Sequence, residues 1–259
     1  MPKPKTWTLL AALALISTLA LVRAAALSAG EALPRGDCAD PQARTDLRHC
    51  DLSGAALPGR DLSGVRLDGA RLDNANLVGA RLAGASTVGA SLQWVNLTEA
   101  DLTGADLSGA NLFHVVLDRA ILDRANLSKA NLFGANLIET RALGADFADA
   151  QMKDLLAEGA NLSGSRLDRA FIFRGVLIGS RLTGASMHQV ALTGAALEDA
   201  DLSGADLTGS LLNGAYLRGT VFHGARLTGA RFPNARVEGA DFAGALDTPE
   251  HLAAMLAAP

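Results

Sequence analysis

The stretch ADLTGADLSGANL, Ala100 to Leu112, decides how this chain is read. A leucine recurs at every fifth position, a small residue stands two before it, and a glycine often stands two after it. Followed outward from Leu102, Leu107 and Leu112, the register runs from Leu47 to Phe242 without a slip. It covers 40 consecutive positions, of which 29 are Leu and eight more are Phe, Met, Ile or Val. Only Thr87, Ala142 and Ala157 fall outside the large apolar set. Repetition at a fixed period takes precedence over local secondary-structure signals, because missing it mis-assigns the whole fold.

Period five fits neither regular element. On an α-helix, successive leucines step by about 140° and scatter over every face. On a flat strand, an odd spacing sends alternate leucines to opposite faces. The leucines are buried together only if the chain bends once per repeat, always in the same sense. Four right-angle bends close a square, so one coil takes four repeats. The leucine and the small residue two before it then point inward, and the other three positions face water. If each corner is a type II turn, the residue two after the leucine needs φ > 0, which glycine supplies at no steric cost.

The quoted stretch, together with ADLSGADLTG from Ala200 to Gly209, resembles the pentapeptide-repeat family with its A(D/N)LxG pattern. The resemblance covers about three-quarters of the chain. It implies an all-β solenoid, a right-handed quadrilateral β-helix, here of about ten 20-residue coils over residues 47–242. Short helices follow the repeats in many family members. In this chain Asp247-Thr248-Pro249-Glu250 reads as a helix start, so residues 243–259 are expected to form a capping helix with Leu252, Met255 and Leu256 on one face. Fold alone does not carry function.

Residues 1–29 differ in kind. Lys3 and Lys5 precede an apolar run, Trp7 to Val22, and small residues follow at Ala24, Ala25 and Ala26. This reads as a secretory signal peptide, with an uncleaved membrane anchor as the alternative that Arg23 favours. The run is shorter than the ~20 residues of a spanning helix. Removing it takes the basic count from 23 to 20 against 27 acids, a net charge of −7. That balance opposes binding to nucleic-acid phosphate.

The only cysteines, Cys38 and Cys50, are twelve apart. In an oxidising compartment such a pair is expected to be a disulfide, pinning the cap segment 30–46 across the open end of the coils. A reduced pair or half of a metal site with His49 are the alternatives. Arg60 occupies an inward position and is the poorest fit to the pattern, its charged head expected to reach solvent past its stem. Elsewhere the irregularities compensate: Leu155 accompanies Ala157, and Thr140 accompanies Ala142.

No catalytic constellation, cofactor loop or ligand cluster stands out. His114, His188 and His223 fall on three different faces. The frequent Asp and Asn before leucine suit turn hydrogen bonding. Residues one coil apart stack about 4.8 Å from each other, so Glu99, Arg119 and Glu139 form one charged column and Lys129, Asp149 and Arg169 another. A cluster of apolar outward positions is less easily assigned to a solvated surface. Phe113, Phe133 and Phe173 share a column, Trp94 and Phe171 share their face, and Val116, Leu156 and Val176 form a column on the next face. These eight residues form a candidate patch for self-association or a protein partner, unless the side chains fold down onto neighbouring backbone.

The leading expectation is a non-enzymatic, secreted or periplasmic rod that binds a protein, with no cofactor, no nucleic acid and no small-molecule substrate. It would contact a membrane only if its N-terminal segment stays uncleaved. The alternative, drawn from the resemblance, is a DNA-mimicking rod that binds type II topoisomerase and protects it from quinolones. That reading asks for strongly acidic faces, whereas the column from Asp61 and Arg81 to Asp201 mixes signs. Cleavage of the exported chain is predicted between Ala26 and Ala32. N-terminal sequencing tests it, and a chain that still begins near Met1 would favour the anchor.

Overall fold

The computed structural model describes residues 32–252, so the expected signal segment lies outside the described residues. The repeat unit builds itself in the same way throughout, and Leu107 shows how. Its carbonyl accepts from Ala110 N at 3.1 Å, closing a tight turn. The second central residue of that turn, Gly109, has φ = 63°. This is the type II corner expected from the spacing. Leu107 N then donates to Asn126 O at 2.7 Å, Gly109 N to Ser128 O at 2.9 Å, and Asp106 N to Ala85 O at 2.8 Å. Three of the four bonds thus leave the coil, two toward the next and one toward the previous.

Parallel bridges join equivalent residues of successive coils, as in Asp106 with Asn126 and Asp206 with Arg226. They continue from Asp46 to Leu246 and replace long strands altogether. The result is a square β-solenoid in which each coil contacts only its neighbours. The apolar set fills its interior: Leu107, Leu112, Ala110 and Val115 are fully buried, as are the Phe147 and Phe222 rings. Residues just before a corner, such as Asp106, act as local acceptors, its Oδ1 taking Ser108 N at 3.0 Å, the turn role expected for acids before leucine.

The irregular positions keep their volume. Leu155 and Ala157 are both buried. Compensation extends one coil further than the sequence suggested, because Gly175 stacks beside Leu155. A Cβ on Gly175 would lie 2.7 Å from Leu155 Cδ2 and 2.6 Å from Ile172 Cγ2. The inward Thr140, Ser210 and Thr220 hydroxyls each donate to a backbone carbonyl, Thr140 Oγ1 to Leu117 O at 2.7 Å.

Both ends are covered. At the start, Arg35 bridges Asp46, Gly36 N donates to Asp46 O at 3.0 Å, and the disulfide Cys38–Cys50 ties the segment to the first coil with Cα atoms 5.5 Å apart. The bridge consumes both thiols, which removes the metal alternative with His49. Arg60 reaches outward as expected, to an ion pair with Asp40 at 3.0 Å. At the far end, Phe222 and Phe242 stack at 4.6 Å with Phe232 edge-on at 6.4 and 6.3 Å. A helical turn begins at Glu250, Leu252 is fully buried, and Phe232 N donates to His251 Nε2. Met255, Leu256 and the rest of the expected capping helix lie outside the described residues.

The fully buried Leu107 gives the fold its sharpest test. Burying a leucine is worth roughly 1.5–3 kcal/mol, and a carboxylate in its place adds desolvation. Leu107→Asp should lower the melting temperature by many degrees, whereas Ser108→Asp, at a half-exposed corner, should leave it nearly unchanged. Equal melting temperatures would refute the inward register.

Candidate functional site

The candidate patch is built on corner positions. Trp94 and His114 occupy the turn position that elsewhere is usually glycine, and both have positive φ, 58° and 52°. From Gly54 to Gly244 every such position is left-handed, 24 being glycine and 15 another residue. Eleven of those 15 fall between Trp94 and Arg174, and the four outside are Asn74, Gln189, Asp199 and Asn234. A bulky side chain in this conformation costs about 1 kcal/mol or more relative to glycine, and such strain concentrates at functional surfaces. The middle of the rod therefore gives up backbone stability to display large side chains.

What it displays is an aromatic stack. Trp94 lies on His114 at 4.3 Å and 7°, and meets Phe113 edge-on at 5.7 Å. Phe113 stacks on Phe133 at 5.4 Å. Phe171 and Phe173 stack at 6.0 Å. Lys153 fills the gap in the phenylalanine column, its Nζ 5.4 Å from the Phe133 ring and 5.9 Å from Phe173. Gly134 makes room for the arrangement: a Cβ there would lie 2.5 Å from His114 Cε1.

The rings differ in how far they are open to water. Phe113 and Phe133 are half-buried against each other, and Phe173 is half-buried beside Phe171, Lys153 and Arg174. Trp94, at 54% exposed, and Phe171, at 37%, remain open. On the adjoining face Leu156 is 39% exposed, while Val116 and Val176 are half-buried. The structure brings the first five residues onto one face and the aliphatic three onto the next. Asp118 lies on that second face, where burial pushes its carboxyl above the usual carboxylate range and leaves Oδ1 without a hydrogen-bond partner.

The charged columns pair only in part. Arg119 meets Glu99 at 2.9 Å and Arg169 meets Asp149 at 2.7 Å, but Glu139 and Lys129 have no ion pair among the described residues. A cluster that the sequence reading missed lies on a third face. His188 Nδ1 is 2.9 Å from Asp168 Oδ1, its Nε2 is 3.2 Å from Asp206 Oδ2, and Ser186 Oγ donates to Asp168 Oδ1 at 2.6 Å. The signal available in the sequence was positional: His188 stands one coil after Asp168, and Asp206 stacks over Ser186, two residues before the histidine, in the following coil. Ser186 and Asp168 meet the same ring nitrogen, so this is not a relay from hydroxyl through imidazole to carboxylate. The two carboxylates lie on opposite sides of the ring, so it is not a chelate either.

A ladder of square coils with its distinctive side chains turned outward defines a solenoid repeat protein. The family profile described as pentapeptide repeats matches eight copies, over residues 43–77, 75–112, 110–147, 125–174, 176–209 and 205–244. The chain belongs to the pentapeptide-repeat family. Among solved structures it is similar to HetL, a pentapeptide repeat protein involved in heterocyst differentiation regulation from the cyanobacterium Nostoc sp. strain PCC 7120. The identity is 33%, over 77% of this chain and 88% of that one, with a TM-score of 0.35. It is also similar to QnrB1, a plasmid-mediated fluoroquinolone resistance protein, at 20% identity over 70% and 92% of the two chains, with a TM-score of 0.45. A pentapeptide repeat protein of the Arabidopsis thaliana thylakoid lumen matches at 33% identity over 44% and 69%, with a TM-score of 0.16. No curated protein matches the sequence. Among the described residues no helix is long and apolar enough to cross a membrane.

The His188 cluster carries a pH dependence. The hydrogen bond to Asp168, reinforced by Asp206, raises the imidazole above its ordinary 6.5. A raised folded-state value means the stabilisation is complete below the unfolded pKa and fades as pH climbs through the folded one. The melting-temperature gap between the natural protein and His188→Gln should therefore be present near pH ~5.5 and shrink by pH ~8. A gap that is constant or grows with pH would refute the coupling.

Proposed function

We propose that this chain is a non-enzymatic, exported pentapeptide-repeat rod that binds a protein through its mid-rod aromatic face. On this reading about ten coils form a rigid support, a C-terminal helix closes it, and residues 1–29 direct export and are removed. The Cys38–Cys50 disulfide suits an oxidising compartment. Trp94 carries the proposal. Glycine would be the more stable choice at its corner, yet a tryptophan stands there with more than half its surface open. A residue that weakens the backbone and stays exposed is explained by contact with another molecule, and tryptophan is the residue most favoured at the centre of binding surfaces. The neighbouring Phe113 meets it edge-to-face, and Phe133, stacked on Phe113, widens the apolar surface.

The DNA-mimicking reading finds less support. Its acidic faces are neutralised along the ladder by Arg81–Asp61, Arg141–Asp123, Arg166–Asp146 and Arg174–Asp154 pairs.

Trp94→Gly separates stability from binding. Relieving the left-handed tryptophan should raise stability by up to about 1 kcal/mol, while association measured by sedimentation or with a partner should fall. Phe113→Ser with Phe133→Ser should lower stability by about 2–4 kcal/mol, since two half-buried rings and their aromatic contacts are lost, yet leave the interior and the fold intact, and also reduce association. Folded variants that keep every interaction would sink the binding role. Unfolding of the double variant would make those two rings structural.

A further inference from the structure

A cleft of about 290 Å³ opens between three successive coils near the far end of the rod, lined by Glu198, Tyr216, Arg218, Arg236 and Glu238. Glu198, Arg218 and Glu238 stand one coil apart in a single outward column, and Tyr216 and Arg236 in the column beside it. The alternation of acid, base and acid would ordinarily close into ion pairs, as Arg169 does with Asp149. Here neither Arg218 nor Arg236 has an ion pair or side-chain hydrogen bond among the described residues. Arg236 instead lies over the Tyr216 ring at 4.7 Å. Glu198 Oε2 is shielded from solvent without any hydrogen-bond partner. A shielded carboxylate oxygen with no donor costs free energy, which the Glu198 side chain recovers by turning that oxygen toward a donor in the cleft. Tyr216, the chain's single tyrosine, is 37% exposed at the cleft.

The charges in this cleft sum to zero, two carboxylates against two guanidinium groups. A simple anion would meet the two acids as well as the two bases, and a simple cation the reverse. The ligand that satisfies all four carries both charges a short distance apart. We infer that the cleft binds a free α-amino acid, its ammonium group taken by Glu198 and Glu238, its carboxylate by Arg218 and Arg236, and its side chain set beside Tyr216. Planar guanidinium groups suit a carboxylate, and charge-assisted hydrogen bonds supply the selectivity. The cleft lies on a different face and in later coils than the aromatic stack, so this inference stands or falls independently of the protein-binding reading.

The test uses the full processed chain and three probes: L-phenylalanine, N-acetyl-L-phenylalanine and L-phenylalanine amide. Calorimetry or ligand-observed NMR should show binding of the free amino acid. Masking either charged end should weaken it about tenfold or more, the worth of one charge-assisted hydrogen bond. Glu198→Gln and Arg218→Gln should each weaken binding by a similar factor, with Glu238→Gln as a further variant should either fail to fold. Circular dichroism checks the fold of each. Failure of L-phenylalanine to bind, equal binding of all three probes, or binding unchanged in the folded variants would overturn the inference.

Discussion

Every coil depends on one backbone constraint: a left-handed residue two positions after each central side chain. From Gly54 to Gly244 the constraint holds in every repeat, whatever side chain stands there. It turns the chain by a quarter, and only then can Leu107 and its equivalents face a common axis and their N–H groups reach the next coil. Glycine meets the demand without strain. Where glycine is absent the neighbours hold the conformation in place, since each turn is tied to the coil before and after it. The ladder thus tolerates locally unfavourable corners. That tolerance is what lets Trp94, His114 and the charged corners of the middle coils exist at all.

The core and the square cross-section were legible because a single-residue slip would ruin them. Period-five leucine, small residue and corner glycine all encode the same geometry, so each confirms the others. Cys38 and Cys50 were legible for a different reason: they are the only pair available and stand close in sequence. The surface followed a weaker rule. Knowing that equivalent residues of successive coils are neighbours placed Arg119 over Glu99 correctly. It did not reveal that Lys153 would settle between two phenylalanine rings, or that Arg141, stacked over Ile121, would reach Asp123 in the adjacent column. Long side chains choose among several neighbours of similar energy, and a surface ion pair is worth too little to dictate the choice. The His188 cluster escaped for the same reason, since one of its carboxylates lies in the histidine's register and the other in the column two positions away.

The Cys38–Cys50 bridge and the Phe222, Phe232 and Phe242 cluster address a shared difficulty at opposite ends. A terminal coil has one neighbour instead of two, so its outer hydrogen-bonding groups and its apolar interior face nothing. The start is held by a covalent tie and by the Arg60–Asp40 pair. The finish uses larger core side chains and the buried Leu252.

Closure after four repeats also makes the chain a dividing engine, in which sequence length sets azimuth. Inserting or deleting a whole coil lengthens or shortens the rod by one step of about 4.8 Å and leaves every later face where it was. Inserting or deleting a single repeat swings everything beyond it by a quarter-turn. The bearing between the Trp94 face and the Tyr216 cleft is therefore fixed by a whole number of repeats, independently of what residues fill them. Two features on such a rod can drift apart in sequence while keeping their angle, or change their angle in a single event, with no rearrangement of the core.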